Sequence, residues 1–167
     1  MFVLDKKMTA DADKLWLEQA EREWRVISLP SAVSQETFVS GDLSGQRLNV
    51  RYFVDRSDGA LVAKVLFGPG TQGPPGHAHG GSMAALLDEA MGVAAWERGH
   101  LAVAADLRVR FRNMLPLGSR CMARARVVSI EGRKITLESI LADINGMIYA
   151  EGTSIFVTVD SSRFGKT

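Results

Sequence analysis

The chain has 167 residues with 20 Lys and Arg and 19 Asp and Glu, so its formal net charge is +1 at pH 7. That balance creates no overall field for nucleic acid, and no stretch approaches the roughly 18 apolar residues of a membrane-spanning helix. We therefore expect neither nucleic acid nor a membrane as a partner. The length fits one domain with a sizeable core, and a hydrophobic fraction of 46% disfavours disorder.

Cysteine usage and the first residues bear on the compartment. Cys121 is the only cysteine, so no intrachain disulfide and no cysteine-rich zinc site can form. Its expected role is that of a buried, inert thiol. The first seven residues lack the basic region and apolar core of a secretory signal peptide. A cytoplasmic protein is therefore expected.

The N-terminal region is predicted to contain an amphipathic helix and a connector. Thr9 is a candidate N-cap, and Trp16 and Trp24 lie on one helical stripe along residues 10–26. Such a stripe packs on the domain or on a neighbouring subunit more often than it serves as a lid over a ligand tunnel. Residues 27–45 are rich in serine, glycine and proline and indicate the connector.

Six later segments have the alternation or the composition of β-strands. Two precede a glycine- and proline-rich loop at residues 68–75, and four follow a helical segment. Asn145 and Gly146 form a strong hairpin signal between the last two strands. Two strands, one helix and four strands predict an α+β domain whose sheet curls round the helix. The predicted strands are residues 47–54, 60–67, 105–111, 120–130, 133–143 and 147–159.

The helical segment covers residues 83–97, which lack proline and are rich in Ala, Leu and Met, and it should end near Gly99. Residues 80–82 then form the mouth of the helix, its N-terminal turn. Backbone N–H groups there lack partners within the helix and carry the positive end of its dipole. The mouth can therefore hold an anion or a developing oxyanion.

Asp88 is the most unusual residue of this helix. The helix is otherwise apolar on every side, apart from Glu89 and the last turn, so it should be buried. A carboxylate in the middle of a buried helix is costly unless it is paired or reaches a cleft. Either Asp88 is a hydrogen-bonded structural acid and Glu89 a solvated one, or Asp88 is functional.

His79, Gly80 and Gly81, with Asp88 nine positions after the histidine, reproduce the signature of a known family. The segment resembles the hot-dog-fold thioesterases, in particular the branch with the phenylacetate-pathway thioesterases and the mammalian thioesterase-superfamily proteins. The resemblance covers roughly residues 45 to 159 and continues through residues 107–111, 131–134 and 150–156.

The resemblance implies an α+β hot-dog fold, an antiparallel sheet of five to six strands wrapped round one long central helix, here with an extra N-terminal helix. We accordingly divide the chain into an N-terminal helix and connector, a hot-dog domain and a tail. Their residues are 1–45, 46–160 and 161–167.

The resemblance also implies an acyl-coenzyme A (CoA) thioesterase, which releases a carboxylic acid and free CoA. The N–H of Gly80, aided by Gly81, would polarise the thioester carbonyl. Asp88 would act as a general base on water or as a nucleophile that forms a mixed anhydride. His79 would contact the carbonyl, although an imidazole that only holds the turn by bonding the backbone is an equal alternative.

One position departs from the family pattern. Where the mammalian relatives carry a catalytic threonine early in the strand after the helix, this chain has Ala104. Asp106, or a polar group of the loop at Thr71 and Gln72, is a candidate replacement. The departure keeps a second hypothesis open, a non-catalytic hot-dog protein that binds or senses acyl-CoA. A hydratase of the same fold fits poorly, because it would need a histidine and an acid placed for proton transfer at substrate carbons.

Four residues are candidate substrate contacts: Ser82, Asp106, Arg112 and Asn113. Ser82 is read as the helix N-cap in preference to a nucleophile, because no base is evidently positioned for it. Arg112 belongs to a basic strand face that suits the phosphates of CoA. The alternative is a solvated face whose arginines pair with acids on neighbouring strands, such as Glu138 and Glu151.

The spacing of the motif predicts an oligomer. Asp88 lies eight residues from the mouth, roughly 12 Å along the axis at 1.5 Å per residue, so one carbonyl cannot touch both within one chain. Two antiparallel central helices would solve this, which predicts a homodimer with shared sites, or a homotetramer as a dimer of dimers. His77 and His79 form an H-x-H pair without an evident third ligand, so neither a metal nor another cofactor is expected.

Overall fold

The computed structural model describes residues 6–29, 37–42 and 44–160. Residues 30–36 and 43 of the predicted connector and the predicted tail 161–167 lie outside the described residues. Across the described ranges, neither helix is long and apolar enough to cross a membrane. The helices are α1 (Lys6–Glu18) and α2 (Gly80–Glu97), and the strands are β1 (Trp24–Ile27), β2 (Leu48–Asp55), β3 (Leu61–Phe67), β4 (Ala102–Phe111), β5 (Arg120–Glu131), β6 (Lys134–Asp143) and β7 (Ile148–Thr158).

The strands form one antiparallel sheet in the order β1-β2-β3-β5-β6-β7-β4. The sheet curls round α2, which contacts β3, β4, β5, β6 and β7. Gly152 of β7 faces α2, since a Cβ there would be in ordinary van der Waals contact with the side chain of Leu87, at 3.4 Å. The predicted α+β hot-dog class is confirmed, with seven strands in place of five to six. The buried residues of α2 are Met83, Leu86, Leu87, Ala90, Met91, Val93, Ala94 and Ala95.

The predicted helix over residues 10–26 is wrong in its second half. Helix α1 ends at Glu18, and Trp24–Ile27 forms strand β1, which pairs with β2. Thr9 lies inside α1 and does not cap it. The ring of Trp24 packs on Phe53 of β2 at a centroid distance of 5.5 Å, so pairing with an open sheet edge overrides the local helical spacing.

Helix α1 is held against the outer face of the sheet by Lys64, which is only 4% exposed. Its Nζ donates hydrogen bonds to the backbone carbonyls of Trp16 and Gln19, at 3.0 and 2.7 Å. The same ammonium lies 4.8 Å from the ring centroid of Trp16 and 5.5 Å from that of Trp24. Both tryptophans therefore pack on the domain, as predicted.

Strand β4 is the open edge of the sheet next to α2, because β7 is its only partner among the strands that the structure describes. Most of its residues are exposed, and three of the exposed side chains are large and apolar: Val103, Leu107 and Phe111, at 42%, 37% and 53%.

Cys121 on β5 is fully buried, as predicted, and burial raises the pKa of its thiol to about 12.

Candidate active site

The loop before α2 is fixed by backbone hydrogen bonds. The N–H of Ala78 donates to the carbonyl of Leu115, and that of His79 donates to the carbonyl of Thr71. The loop also passes close to its own end, since a Cβ on Gly73 would lie 2.9 Å from the Cα of His79. Only glycine permits that approach. The chain therefore enters α2 in one defined direction.

His79 caps α2. Its backbone is extended, with φ −68° and ψ 139°, and its Nδ1 accepts a hydrogen bond of 2.9 Å from the N–H of Gly81. The prediction of Ser82 as the N-cap is wrong, because the helix begins earlier, at Gly80, and the Ser82 hydroxyl donates to the carbonyl of His79. Since Nδ1 is the acceptor, a neutral imidazole carries its proton on Nε2 and can donate from there.

The capping interaction leaves one donor at the mouth. The N–H of Gly81 is bonded to His79, and the N–H of Ser82 donates to the carbonyl of the same residue. The N–H of Gly80 has no acceptor in the part of the chain that the structure describes. The ring of Phe111 flanks it, because a Cβ on Gly80 would lie 3.1 Å from Phe111 Cζ. Gly80 is therefore the free donor that can meet a carbonyl oxygen.

Asp88 lies two turns further along α2 and lines a cavity of about 490 Å³. Its side chain is half-buried, and Oδ1 is fully buried without a hydrogen-bond partner in residues 6–29, 37–42 and 44–160. Burial raises the pKa of the carboxyl. The predicted alternative of a hydrogen-bonded structural acid therefore does not describe Asp88. The apolar residues lining the cavity include Leu29, Val93, Trp96, Leu101, Val103 and Phe156.

Glu89, unlike Asp88 Oδ1, has a hydrogen-bond partner among the described residues. It is half-buried, whereas the structural-acid alternative expected a solvated Glu89. Its Oε1 accepts a hydrogen bond of 2.5 Å from the hydroxyl of Tyr52 on β2. Burial raises the pKa of Glu89, the hydroxyls of Tyr52 and Ser40 lower it, and the charge of Asp88 raises it further. Burial and the charge of Glu89 raise the pKa of Tyr52 well above its usual range.

Sequence reasoning missed the contact between Tyr52 and Glu89. The available signal was a tyrosine at a core-facing position of a strand, whose hydroxyl needs a partner when it is buried. Tyr52 is 4% exposed, and the partner is a residue 37 positions away. Hydrophobic alternation identifies such a tyrosine but not the acid that meets it.

Ala104, which the resemblance assigns to the threonine position, lines the same cavity as Asp88 and has no hydroxyl. Asp106 is absent from the cavity lining and pairs with Arg108 at 3.2 Å. A break in register between Ala104 and Asp106 separates the two positions. Gln72 lies beside His79, where its Oε1 accepts from the N–H of Gly76. Within one protomer, neither replacement candidate reaches the cavity of Asp88.

Arg112 and Asn113 lie with Gly80 around a second cavity, of about 330 Å³, at the mouth. Arg112 forms an ion pair with Glu151 at 2.5 Å, and Asn113 Nδ2 donates to the carbonyl of Ile148 at 2.7 Å. Other arginines of the basic face also have acidic partners, and of these Arg126 with Glu138, like Arg112 with Glu151, is a pair across neighbouring strands as the alternative predicted. The pairs of the other arginines are Arg108–Asp106, Arg120–Asp13, Arg124–Asp55, Arg124–Asp58 and Arg126–Glu138.

A curled antiparallel sheet that encloses one helix defines the hot-dog fold. In this chain the helix has glycines at its mouth and a carboxylate in its middle. The family model described as the thioesterase superfamily matches residues 75–150. Residues 75–150 therefore match the thioesterase superfamily, and the predicted resemblance is confirmed.

The relatives include the acyl-coenzyme A thioesterase THEM5 of Mus musculus, 32% identical over 116 residues, which are 69% of this chain and 47% of the relative. The chain thus spans about half the length of that curated relative. A crystal structure of a thioesterase superfamily protein has a TM-score of 0.67 and 26% identity, covering 94% of this chain and 81% of that one. The BH2602 protein of Bacillus halodurans, solved with CoA, has a TM-score of 0.55 and 28% identity, covering 59% and 66%.

Proposed function

We propose that the protein hydrolyses acyl-CoA thioesters to a carboxylic acid and free CoA, at sites shared between two protomers. In each site, the N–H of Gly80 from one protomer polarises the thioester carbonyl, and Asp88 from the other acts on the opposite side of it. The name of the mouse relative and the CoA bound to the Bacillus halodurans protein support this substrate class.

One observation carries the proposal: the same helix presents an unpaired donor and a half-buried carboxylate whose Oδ1 is buried without a partner in the described residues. The Gly80 N–H and Asp88 Oδ1 lack partners among the residues that the structure describes. Eight residues separate them, about 12 Å along the axis. A thioester carbonyl needs a donor for its developing negative charge and a base or nucleophile beside its carbon. Both groups are present, but too far apart to serve one carbonyl within a protomer.

The environment of Asp88 suits a base. Burial raises the pKa of its carboxyl, which makes the carboxylate a stronger proton acceptor than an exposed aspartate. As a general base, Asp88 takes a proton from water while the water oxygen attacks the carbonyl carbon. As a nucleophile, it attacks the carbon itself, and water then hydrolyses the mixed anhydride. The thiolate of CoA leaves readily in both routes.

The open edge of the sheet supports the dimer. Strand β4 has ten residues, pairs only with β7 within the described ranges, and exposes Val103, Leu107 and Phe111. A long apolar edge of this kind promotes aggregation unless another element covers it. A second copy related by a two-fold axis covers both edges at once and sets the two α2 helices antiparallel. The mouth of each helix then approaches Asp88 of the other.

A second candidate is a protein that binds acyl-CoA without hydrolysing it. It is favoured by Ala104, which places no hydroxyl in the cavity of Asp88 where the family carries its threonine. Asp88 argues against it, because a carboxyl oxygen buried without a partner in the described residues costs stability and gives a binding protein no benefit. In both candidates Ser82, Arg112 and Asn113 remain proposed contacts to the CoA portion.

The test is release of free thiol from short, medium, long and aromatic acyl-CoA esters. We expect turnover of at least one ester and no metal requirement. Binding of the esters without release of thiol, at protein concentrations that preserve the oligomer, would support the binding protein instead.

A further inference from the structure

We propose that Glu89 is a specificity-determining residue of the cavity beside Asp88, and that it restricts the enzyme to acyl groups without a carboxylate. The inference rests on the proposed function, because it takes the acyl group as the occupant of this cavity. It adds a property that thioesterase activity does not by itself require.

The charge distribution of the cavity is one-sided. Asp88 and Glu89 both line it, and its walls are otherwise mainly apolar side chains from α2, β4 and β7. No lysine or arginine is among the described residues of the lining, and His100 is its only other ionisable group. A volume of about 490 Å³ with a few polar groups in an apolar wall is typical of a site for a small organic group.

Glu89 cannot easily leave the cavity, because its carboxylate is held from a different element. The hydroxyl of Tyr52, whose ring is buried in β2, donates to Glu89 Oε1 at 2.5 Å. Asp88 is the preceding residue on α2, and both acids line the cavity. The negative charge therefore has a fixed position.

This arrangement discriminates between acyl groups by charge. A carboxylate carried by the far end of a substrate would be desolvated next to two acids, with no lysine or arginine among the described lining residues to offset it. A methyl end meets the apolar wall, and a hydroxyl end can donate to a carboxylate. Repulsion of one class of ligand, with unchanged contacts for the others, is a common source of specificity.

The test compares hexanoyl-, 6-hydroxyhexanoyl- and adipoyl-CoA, which share a six-carbon chain and differ at its far end. We expect kcat/KM of the wild type for adipoyl-CoA to be about 10²-fold below that for hexanoyl-CoA. Glu89→Gln removes the charge and keeps an oxygen that accepts from the Tyr52 hydroxyl. The ratio of kcat/KM for hexanoyl-CoA to that for adipoyl-CoA should therefore fall about tenfold. An unchanged ratio in Glu89→Gln would overturn the proposal.

Glu97→Gln is the matched control. Glu97 is on the same helix and pairs with Arg25 at 2.5 Å, outside the cavity lining. Its replacement removes one negative charge from α2 and should leave the ratio unchanged. A ratio that narrows equally in both variants would assign the discrimination to the overall charge of the protein and would overturn the role of Glu89.

Binding of non-hydrolysable thioethers separates this inference from the proposed function. Calorimetry with S-hexyl-CoA and S-(5-carboxypentyl)-CoA measures the same discrimination without turnover. If the wild type hydrolyses no ester but prefers S-hexyl-CoA, and Glu89→Gln reduces that preference, the hydrolase proposal fails and the role of Glu89 stands. Equal affinities of the wild type for the two thioethers would overturn the role of Glu89 even in an active enzyme.

Discussion

Asp88→Asn is expected to lower kcat/KM for acyl-CoA hydrolysis by about 10²-fold or more. The amide has nearly the shape of the carboxyl but can neither take a proton from water nor attack the carbonyl. Because Asp88 lines the cavity and its Oδ1 has no partner in the described ranges, no other hydrogen bond is broken by the change. Thiol release at matched dimer content measures the effect.

The same substitution should raise the free energy of unfolding at pH 7. Burial raises the pKa of Asp88 in the folded protein, so folding becomes less favourable as the pH rises above the unfolded value of 3.8. Asparagine carries no such penalty, and its advantage should disappear as the pH falls below that value. Denaturant unfolding at fixed protein concentration tests this. An active or destabilised Asp88→Asn variant at pH 7 would contradict the role of Asp88.

Gly80→Pro should lower kcat by about 10²- to 10³-fold, because it removes the one free N–H at the mouth of α2. Proline suits this position, since Gly80 is the first residue of the helix and His79 before it is extended. The helix should therefore form, which circular dichroism checks, while the carbonyl loses its donor.

Gly80→Ala is the matched control for that substitution. Like proline, alanine adds a Cβ about 3.1 Å from Phe111 Cζ, but it retains the backbone N–H. The Phe111 ring needs to move by only a few tenths of an ångström to accept this Cβ, so the alanine variant should keep most of its activity. Equal losses in the proline and alanine variants would show that crowding against Phe111, and not the lost donor, causes the defect.

The sequence predicts most of the fold because hydrophobic period and turn residues act locally. Alternation identified the strands around the central helix, and the apolar surface of α2 predicted its burial. The prediction of one helix over residues 10–26 failed because the helical spacing of these residues competes with strand pairing to β2. Only the tertiary structure shows that the edge of the sheet at β2 is open to such pairing. Ser82 failed as a cap because the side chain of His79 takes that role.

The site residues that lie on one helix could be predicted from a sequence motif. The contacts between residues of different helices and strands could not. Gly80 and Asp88 follow from the spacing of one motif, and the structure shows that both lack partners in the residues it describes. The bond between Tyr52 and Glu89 joins positions 37 residues apart, which no local pattern relates. The register break beside Asp106, which separates it from Ala104, is likewise a property of the strand pairing.

The shared site is tested most directly by a heterodimer of Asp88→Asn and Gly80→Pro protomers, purified through two different affinity tags. One of its two sites combines an intact Gly80 with an intact Asp88, and the other has neither. If each site draws on both protomers, the heterodimer should recover about half of the wild-type activity, although both parents are inactive. A heterodimer as inactive as its parents would show that Gly80 and Asp88 do not act together across the dimer.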